Sequence, residues 1–388
     1  MKKVCHYIIA TNLGGAEQSL LEMLSILKLD PELDVYVLAP KADGPLIIKL
    51  KELGIRIEIL EIPKLILQTS RLNPFKTILL LLAAIPGSFI YFARLRAHFA
   101  REQPQLIHST GIKCHLMLGI ISRFLKVNIV WHLRDILVPG ITKNLFLMLH
   151  NPTIHCIANS KATAESIGLN ATVLYNGINT DTYKHTTDRI FSDKYPKIDK
   201  PFIIGIIGVL AEWKGQKDFL EMAKHLAPEY PHICFVIIGD TIYDTIGDRD
   251  YKRELMEISE STELSGRIYF AGFQKDSVAA INSCDLIVHA SRKAEPFGRV
   301  LVEAMSCTIP VIASAAGGVL EIISDTKDGL LFSPGDIHEM SRRVELLVTH
   351  PQIREQLRIN GRKRVVEHFS DKKQQNHLRE IYKSVLKE

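Results

Sequence analysis

"KVCHYIIATNLGGAEQSLLEML" (residues 3–24) and "PFIIGIIGVLAEWKGQKDFLEMA" (residues 201–223) follow one plan: a short apolar run, a glycine-bearing loop, then an amphipathic stretch. An apolar run of this length suits a strand buried on both faces of a parallel sheet, and the amphipathic stretch suits a helix packed against it. The plan appears once at the start and once halfway along a chain of 388 residues, a length too great for one ordinary core. Two copies of a single architecture are expected.

The alternation continues between and beyond these segments, as in an α/β protein. Strands are expected at 3–10, 34–39, 55–60, 105–108, 127–132, 154–158 and 172–175, then at 202–208, 233–239, 267–271, 285–289, 309–313 and 329–332. Helices are expected in most gaps, among them 16–27, 216–227, 298–307 and 336–348. The polar stretch "NTDTYKHTTDRIFSDKYPKIDK" (179–200) lacks periodicity and separates the halves. This gives a first domain over 1–185, a linker over 186–200, a second domain over 201–370, and a terminal helix over 371–388 that would pack back on the first domain. Both domains should be doubly wound parallel sheets, facing a central cleft with the carboxyl ends of their strands, where ligands bind.

Composition narrows the function. The net charge of +5, from 48 basic and 43 acidic residues, is not gathered in any long basic run. It suits an anionic small substrate or an acidic membrane surface, and nucleic acid is not expected. Six scattered cysteines (Cys5, Cys114, Cys156, Cys234, Cys284, Cys307) form no C-x-x-C pair, which fits reduced thiols in a cytoplasm. The histidines show no H-E-x-x-H spacing, so no resident metal is expected. The opening run Val4–Ala10 is interrupted by His6 and leads into a glycine turn, as a first strand does and a signal peptide does not. The run "TILLLLAAIPGSFIYFA" (77–93) carries no charge between Lys76 and Arg94 and lies at the lower limit for a membrane span. Pro86-Gly87 is expected to break it into buried or groove-lining helices. The alternative is a monotopic patch with Arg94, Arg96 and Arg101 against lipid headgroups.

The chemistry sits in the loops. "NLGGAE" (12–17) leaves a strand and enters a helix, so Gly14 and Gly15 bring free amides and the helix dipole toward an anion. The pattern is not G-x-G-x-x-G, which speaks against a nicotinamide cofactor. "GVLAEWKGQ" (208–216) places Lys214 beside Gly215 at the corresponding strand end. A lone loop lysine is ordinarily just solvated; its position is what singles this one out. In "AEPFGRVLVEAM" (294–305), Glu295 precedes a helix whose first amides belong to Phe297, Gly298 and Arg299. Glu303 lies eight residues on, about two turns at 3.6 residues each, and so on the same face. A carboxylate accepts two hydrogen bonds side by side, which suits the vicinal hydroxyls of a ribose. Helix capping by Glu295 and a surface ion pair for Glu303 are the plainer roles for these acids. "ASAAGGVLEII" (313–323) adds Gly317 and Gly318 before another helix, a further phosphate cradle in prospect.

These residues are familiar together. "NLGGAE", "LIHSTG" (106–111), "WHLRD" (131–135), "ANS" (158–160), "YNGIN" (175–179), "EWKGQ" (212–216), "IIGD" (237–240), "AEPFGRVLVEAM", "IPVIASAAGGVLE" (309–321) and "DGLLFSPGD" (328–336) occur in this order. Over nearly its whole length the chain resembles the retaining glycosyltransferases of family 4, which have the two-domain GT-B architecture. The resemblance implies a catalytic set of His132, Lys214 and Glu295. His132 would lie near the reacting face of the transferred sugar, although a buried histidine at a strand end is often only core. Lys214 would meet the donor diphosphate, Glu295 the hydroxyls of the donor sugar, and Glu303 the ribose. Gly15 would touch phosphate or acceptor. The implied donor is a UDP- or GDP-linked hexose or N-acetylhexosamine, and no metal or other cofactor is implied. The acceptor would be a saccharide or a lipid-linked molecule in cell-surface polysaccharide or glycolipid synthesis, with the enzyme cytoplasmic or peripheral at the inner membrane face.

Two positions depart from the family pattern. Val209 stands where the family usually has a phosphate-binding arginine, so Arg292 or Arg299 would have to substitute. Thr308 stands where a glycine is usual. The first departure keeps a non-catalytic nucleotide-sugar-binding scaffold among the alternatives, together with a GT-B nucleotide-sugar epimerase. Acceptor choice is expected in the first half, where 40–100 is least family-like.

Overall fold

The computed structural model describes residues 1–63, 74–241 and 246–387. The chain divides into two compact units, Met1–Gly177 with Gln374–Glu388, and Ile178–Lys373.

The first unit is built on a seven-stranded sheet made of β1 (Lys2–Tyr7), β2 (Leu33–Ala39), β3 (Arg56–Ile59), β4 (Leu106–Thr110), β5 (Asn128–Leu133), β6 (Ile154–Ala158) and β7 (Ala171–Val173). All neighbours pair in parallel, in the order β3-β2-β1-β4-β5-β6-β7. The second unit has six strands: β8 (Phe202–Ile207), β9 (Ile233–Ile238), β10 (Ile268–Gly272), β11 (Leu286–His289), β12 (Val311–Ser314) and β13 (Leu330–Phe332). They too are parallel, in the order β10-β9-β8-β11-β12-β13. Each expected strand is present, within a few residues of its expected ends.

Apolar content without strict alternation explains the parallel pairing. In β9 every residue of "ICFVII" is buried, so helices must cover both faces. The helix Gln216–Leu226 does so on one side, with Phe219, Leu220, Met222, Ala223 and Leu226 inside the core. In the first unit the terminal helix Asp371–Leu386 packs Leu378, Ile381, Tyr382 and Val385 against Val4, Ile8, Leu106, Val130 and Ile157. Burying a side chain of this size contributes about 1.5–3 kcal/mol. Residues 186–200 are tied into the second unit: Arg189 forms paired bonds to Asp285, and the buried Tyr195 hydroxyl donates to the Phe235 carbonyl at 2.7 Å.

One expectation needs correction. Pro86-Gly87 does not break the apolar run; a continuous helix, Pro74–Glu102, passes through it. A proline inside a helix costs about 3 kcal/mol, and burial of Tyr91, Leu95 and Phe99 in the core of the first unit offsets it. Of the 40–100 region, 64–73 lies outside the described residues. Among the described residues no helix is long and apolar enough to cross a membrane.

Each sheet reverses its strand order once, between β1 and β4 and between β8 and β11. At such a reversal the loops leaving adjacent strands diverge to opposite faces and open a crevice beyond the carboxyl ends.

Candidate functional site

In the second unit the two loops at the reversal touch. Lys214 follows β8 and Glu295 follows β11, and Lys214 Nζ donates to Glu295 Oε1 at 2.6 Å. His289 Nε2 lies 2.8 Å from the same oxygen and the Ser291 hydroxyl donates to it at 2.5 Å. Three groups thus converge on Oε1, and none of these bonds uses Oε2. Burial pushes the Glu295 carboxyl up, but His289 and Lys214 outweigh it and hold its pKa well below the ordinary carboxylate value. The site therefore holds an ionised acid beside an ammonium, both largely removed from water.

Backbone geometry makes this contact possible. Gly215 has φ +75°, and a Cβ there would lie 2.0 Å from the Ala290 carbonyl oxygen, so only glycine lets the Lys214 loop reach β11. Lys214 Nζ also sits 4.4 Å from the centre of the Trp213 ring, a cation–π contact. Arg292 clamps the arrangement: its N–H donates to the Trp213 carbonyl at 2.8 Å, and its guanidinium grips buried Asp218 with two bonds of 2.7 and 2.5 Å.

Gly317 and Gly318 bear on the same loop. Gly317 forms a bridge with Glu295, and the Gly318 N–H donates to the Glu295 carbonyl at 2.8 Å. A Cβ on Gly318 would lie 2.5 Å from the Pro296 carbonyl oxygen. Their amides brace the Glu295 loop. Phe297 is buried against Phe369. Gly298, φ +104°, starts the helix Arg299–Ser306 without a side-chain cap. On that helix Arg299 Nε donates to Glu303 Oε1 at 2.7 Å, with both side chains nearly buried. Val209 is half-buried, and its carbonyl accepts from Gln216 at 2.8 Å. Neither arginine proposed as its substitute is unengaged: Arg292 holds Asp218 and Arg299 holds Glu303.

In the first unit, Gly14 and Gly15 start the helix Gly15–Leu27 after β1, and Glu17 takes the Gly14 N–H at 3.1 Å. A Cβ on Gly15 would meet nothing within 4 Å, so open space faces the helix start. His132 lies in β5, fully buried. Burial, reinforced by Arg134, holds its pKa well below the ordinary value, so it is neutral. Its Nδ1 lies 3.0 Å from His108 Nε2. Buried Arg134 donates to buried Asn176 at 3.0 Å.

His289, Ser291, Asp218 and His108 were not anticipated as site residues. His289 carries a signal in retrospect: it is the polar end of an apolar strand, six residues before Glu295. Among the described residues no group of three or more histidine, cysteine or acidic side chains could hold a metal ion.

With this geometry in view, the sequence and the fold were compared with known proteins. Residues 188–364 match the family model described as glycosyl transferases group 1. The capsular polysaccharide biosynthesis glycosyltransferase CapM of Staphylococcus aureus is 23% identical over 312 residues, 75% of this chain and 79% of that protein. The human alpha-1,3/1,6-mannosyltransferase ALG2 is 25% identical over 218 residues, 54% of this chain and 52% of that protein; the chain thus spans about half of the latter. Among solved structures, Anabaena Alr3699/HepE in complex with UDP superposes with a TM-score of 0.82 at 25% identity, covering 99% of this chain and 100% of that one.

Proposed function

This chain belongs to the group 1 glycosyl transferases, and from that premise we propose that it transfers a hexose or N-acetylhexosamine, with retained anomeric configuration, from a UDP-linked donor to a saccharide or lipid-linked acceptor. The role would lie in polysaccharide or glycolipid synthesis. The observation that carries this reading is the convergence of Lys214, His289 and Ser291 on one oxygen of Glu295 at the strand-order reversal. The UDP complex of the Anabaena relative supports a uridine over a guanosine donor.

In the reaction the bond between the anomeric carbon and the diphosphate oxygen breaks, and the electron pair leaves with the phosphate. The acceptor hydroxyl forms the new bond on the same face, and its proton passes to the departing phosphate oxygen. Negative charge grows on that oxygen as the sugar becomes oxocarbenium-like, so a fixed cation lowers the barrier more than it tightens binding. Lys214 is that cation, already oriented by Glu295 and Trp213, and needs little reorganisation. With Oε1 of Glu295 saturated by donors, Oε2 is left to accept a donor-sugar hydroxyl. The uncapped amides of Phe297, Gly298 and Arg299 add partial positive charge. Glu303, steadied by Arg299, takes the ribose, while Gly317 and Gly318 lock the loop that carries Glu295. Lys214 and these amides fill the charge-neutralising role, so the reaction is read as metal-independent.

The first unit would hold the acceptor, with Gly14 and Gly15 at its helix start and His132 beside the transferred sugar. Exposed Phe89 and Ile90 together with exposed Arg94 and Arg96 support peripheral contact of this unit with an acidic membrane; Arg101 is instead paired with Glu58 and Glu102.

Incubation with UDP-sugars and saccharide or lipid-linked acceptors, followed by NMR of the product, tests the proposal. Release of UDP that requires acceptor, with an unchanged anomeric configuration, is expected. An inverted product would overturn retention, and donor conversion without acceptor would overturn transfer.

A further inference from the structure

Three fully buried histidines converge in the first unit. His6 on β1 and His108 on β4 pair in register, with ring centroids 4.6 Å apart in a stack. His108 Nε2 lies 3.0 Å from Nδ1 of His132 on β5. On its other side, His108 Nδ1 lies 2.6 Å from the Tyr382 hydroxyl, which arrives from the terminal helix 274 residues away. The same hydroxyl is 3.4 Å from His6 Nε2. The row ends at His132 Nε2, a buried atom with no protein partner.

Each link in such a row needs one donor and one acceptor, so a single proton source sets the polarity of the whole. Burial pushes the Tyr382 phenol well above its ordinary value, so it keeps its proton. Burial likewise holds His108 and His132 well below theirs, so each neutral ring carries one N–H. Tyr382 lies nearer His108 than His6, at 2.6 against 3.4 Å, and its proton goes to His108 Nδ1. His108 must then carry its own proton on Nε2 and give that bond to His132 Nδ1. The proton of His132 is left on Nε2.

We propose that Tyr382 and His108 are positioning residues that fix His132 as its Nε2–H tautomer, making the unpartnered nitrogen a hydrogen-bond donor to an oxygen of the bound sugar. The sugar rests on the placement of His132 under Proposed function; the tautomer does not. A buried N–H without an acceptor is unfavourable until a ligand supplies one, so this nitrogen is built for an occupant. The opposite polarity would leave a lone pair there, suited to a base. The terminal helix thereby takes part in the chemistry through Tyr382, in addition to covering the sheet.

The test is long-range proton–nitrogen NMR of the full chain with labelled histidine, assigned by comparison with His132→Gln and His108→Gln. Both His108 and His132 should carry their proton on Nε2. Tyr382→Phe should shift His132 partly to the Nδ1–H form and lower kcat about tenfold, while KM for the donor moves by less than about twofold. His108→Gln can still donate to His132 and should keep the Nε2–H signal with most of the turnover; His108→Leu should lose both. An Nδ1–H signal on wild-type His132, or Tyr382→Phe with tautomer and kcat unchanged, overturns the proposal. If Tyr382→Phe does not fold, the wild-type spectrum and the two His108 variants decide. The expected tautomer with full turnover in His132→Gln would instead remove His132 from the transfer reaction and leave the row standing.

Discussion

The two strand-order reversals share their topology and differ in electrostatics. Beyond β8 and β11 the loops carry interlocked charges: Lys214 with Glu295, Arg292 with Asp218, Arg299 with Glu303. Beyond β1 and β4 stand a glycine pair and neutral, buried histidines. Parallel strands and covering helices fix where loops converge, and the residues at those points decide what can bind there. Ion pairs shielded from water suit a diphosphate whose charge rises during reaction. Neutral ring nitrogens and backbone amides suit uncharged hydroxyls. The comparison teaches that a duplicated architecture can divide a two-substrate reaction, with the ionic work in one unit and neutral recognition in the other.

Substitutions in the charged region should break this division most sharply. Lys214→Ala is expected to lower kcat by about 10²–10³, the scale of losing one preorganised donor to a developing anion; near-normal turnover would remove the ammonium from the mechanism. Glu303→Gln should weaken UDP binding about tenfold, the worth of one charged hydrogen bond, with kcat at saturation little changed. Calorimetric titration checks this, and a lost kcat with intact binding would contradict the ribose role.

Acid sensitivity sharpens the contrast. Glu295 holds its proton less readily in the folded chain than its ordinary value of 4.5, so its pairing contributes stability present above that value and lost as pH falls below it. Between about pH 5 and about pH 3, Tm of the wild type should fall a few degrees more than that of Glu295→Gln; equal falls would contradict an ion-paired Glu295. The smallest effect is expected at Val209→Arg. A restored, largely exposed cation should tighten donor binding only about two- to fivefold, and weaker binding would show that the position does not face phosphate.

Much of this was legible beforehand. The strands announced themselves because parallel strands are buried on both faces, and the paired acids because their spacing matches two helical turns. The partners were not legible. Nothing in the sequence says that Arg292 closes on Asp218, 74 residues away, or that Gly215 and Gly318 are required by approaching carbonyls. Tyr382 reads as one apolar position of a terminal helix; its hydroxyl matters only through a contact 274 residues distant. Pro86 was misread for a related reason, since local helix-breaking chemistry was outweighed by packing of residues further along the same helix. Local patterns name elements, while long-range contacts assign work to side chains.

The most direct test is a crystal structure of this chain with UDP bound. The diphosphate should lie within hydrogen-bonding distance of Lys214 and the amides of residues 297–299, with the ribose hydroxyls on Glu303. A nucleotide bound away from Lys214 and from residues 295–303 would contradict the account at its centre.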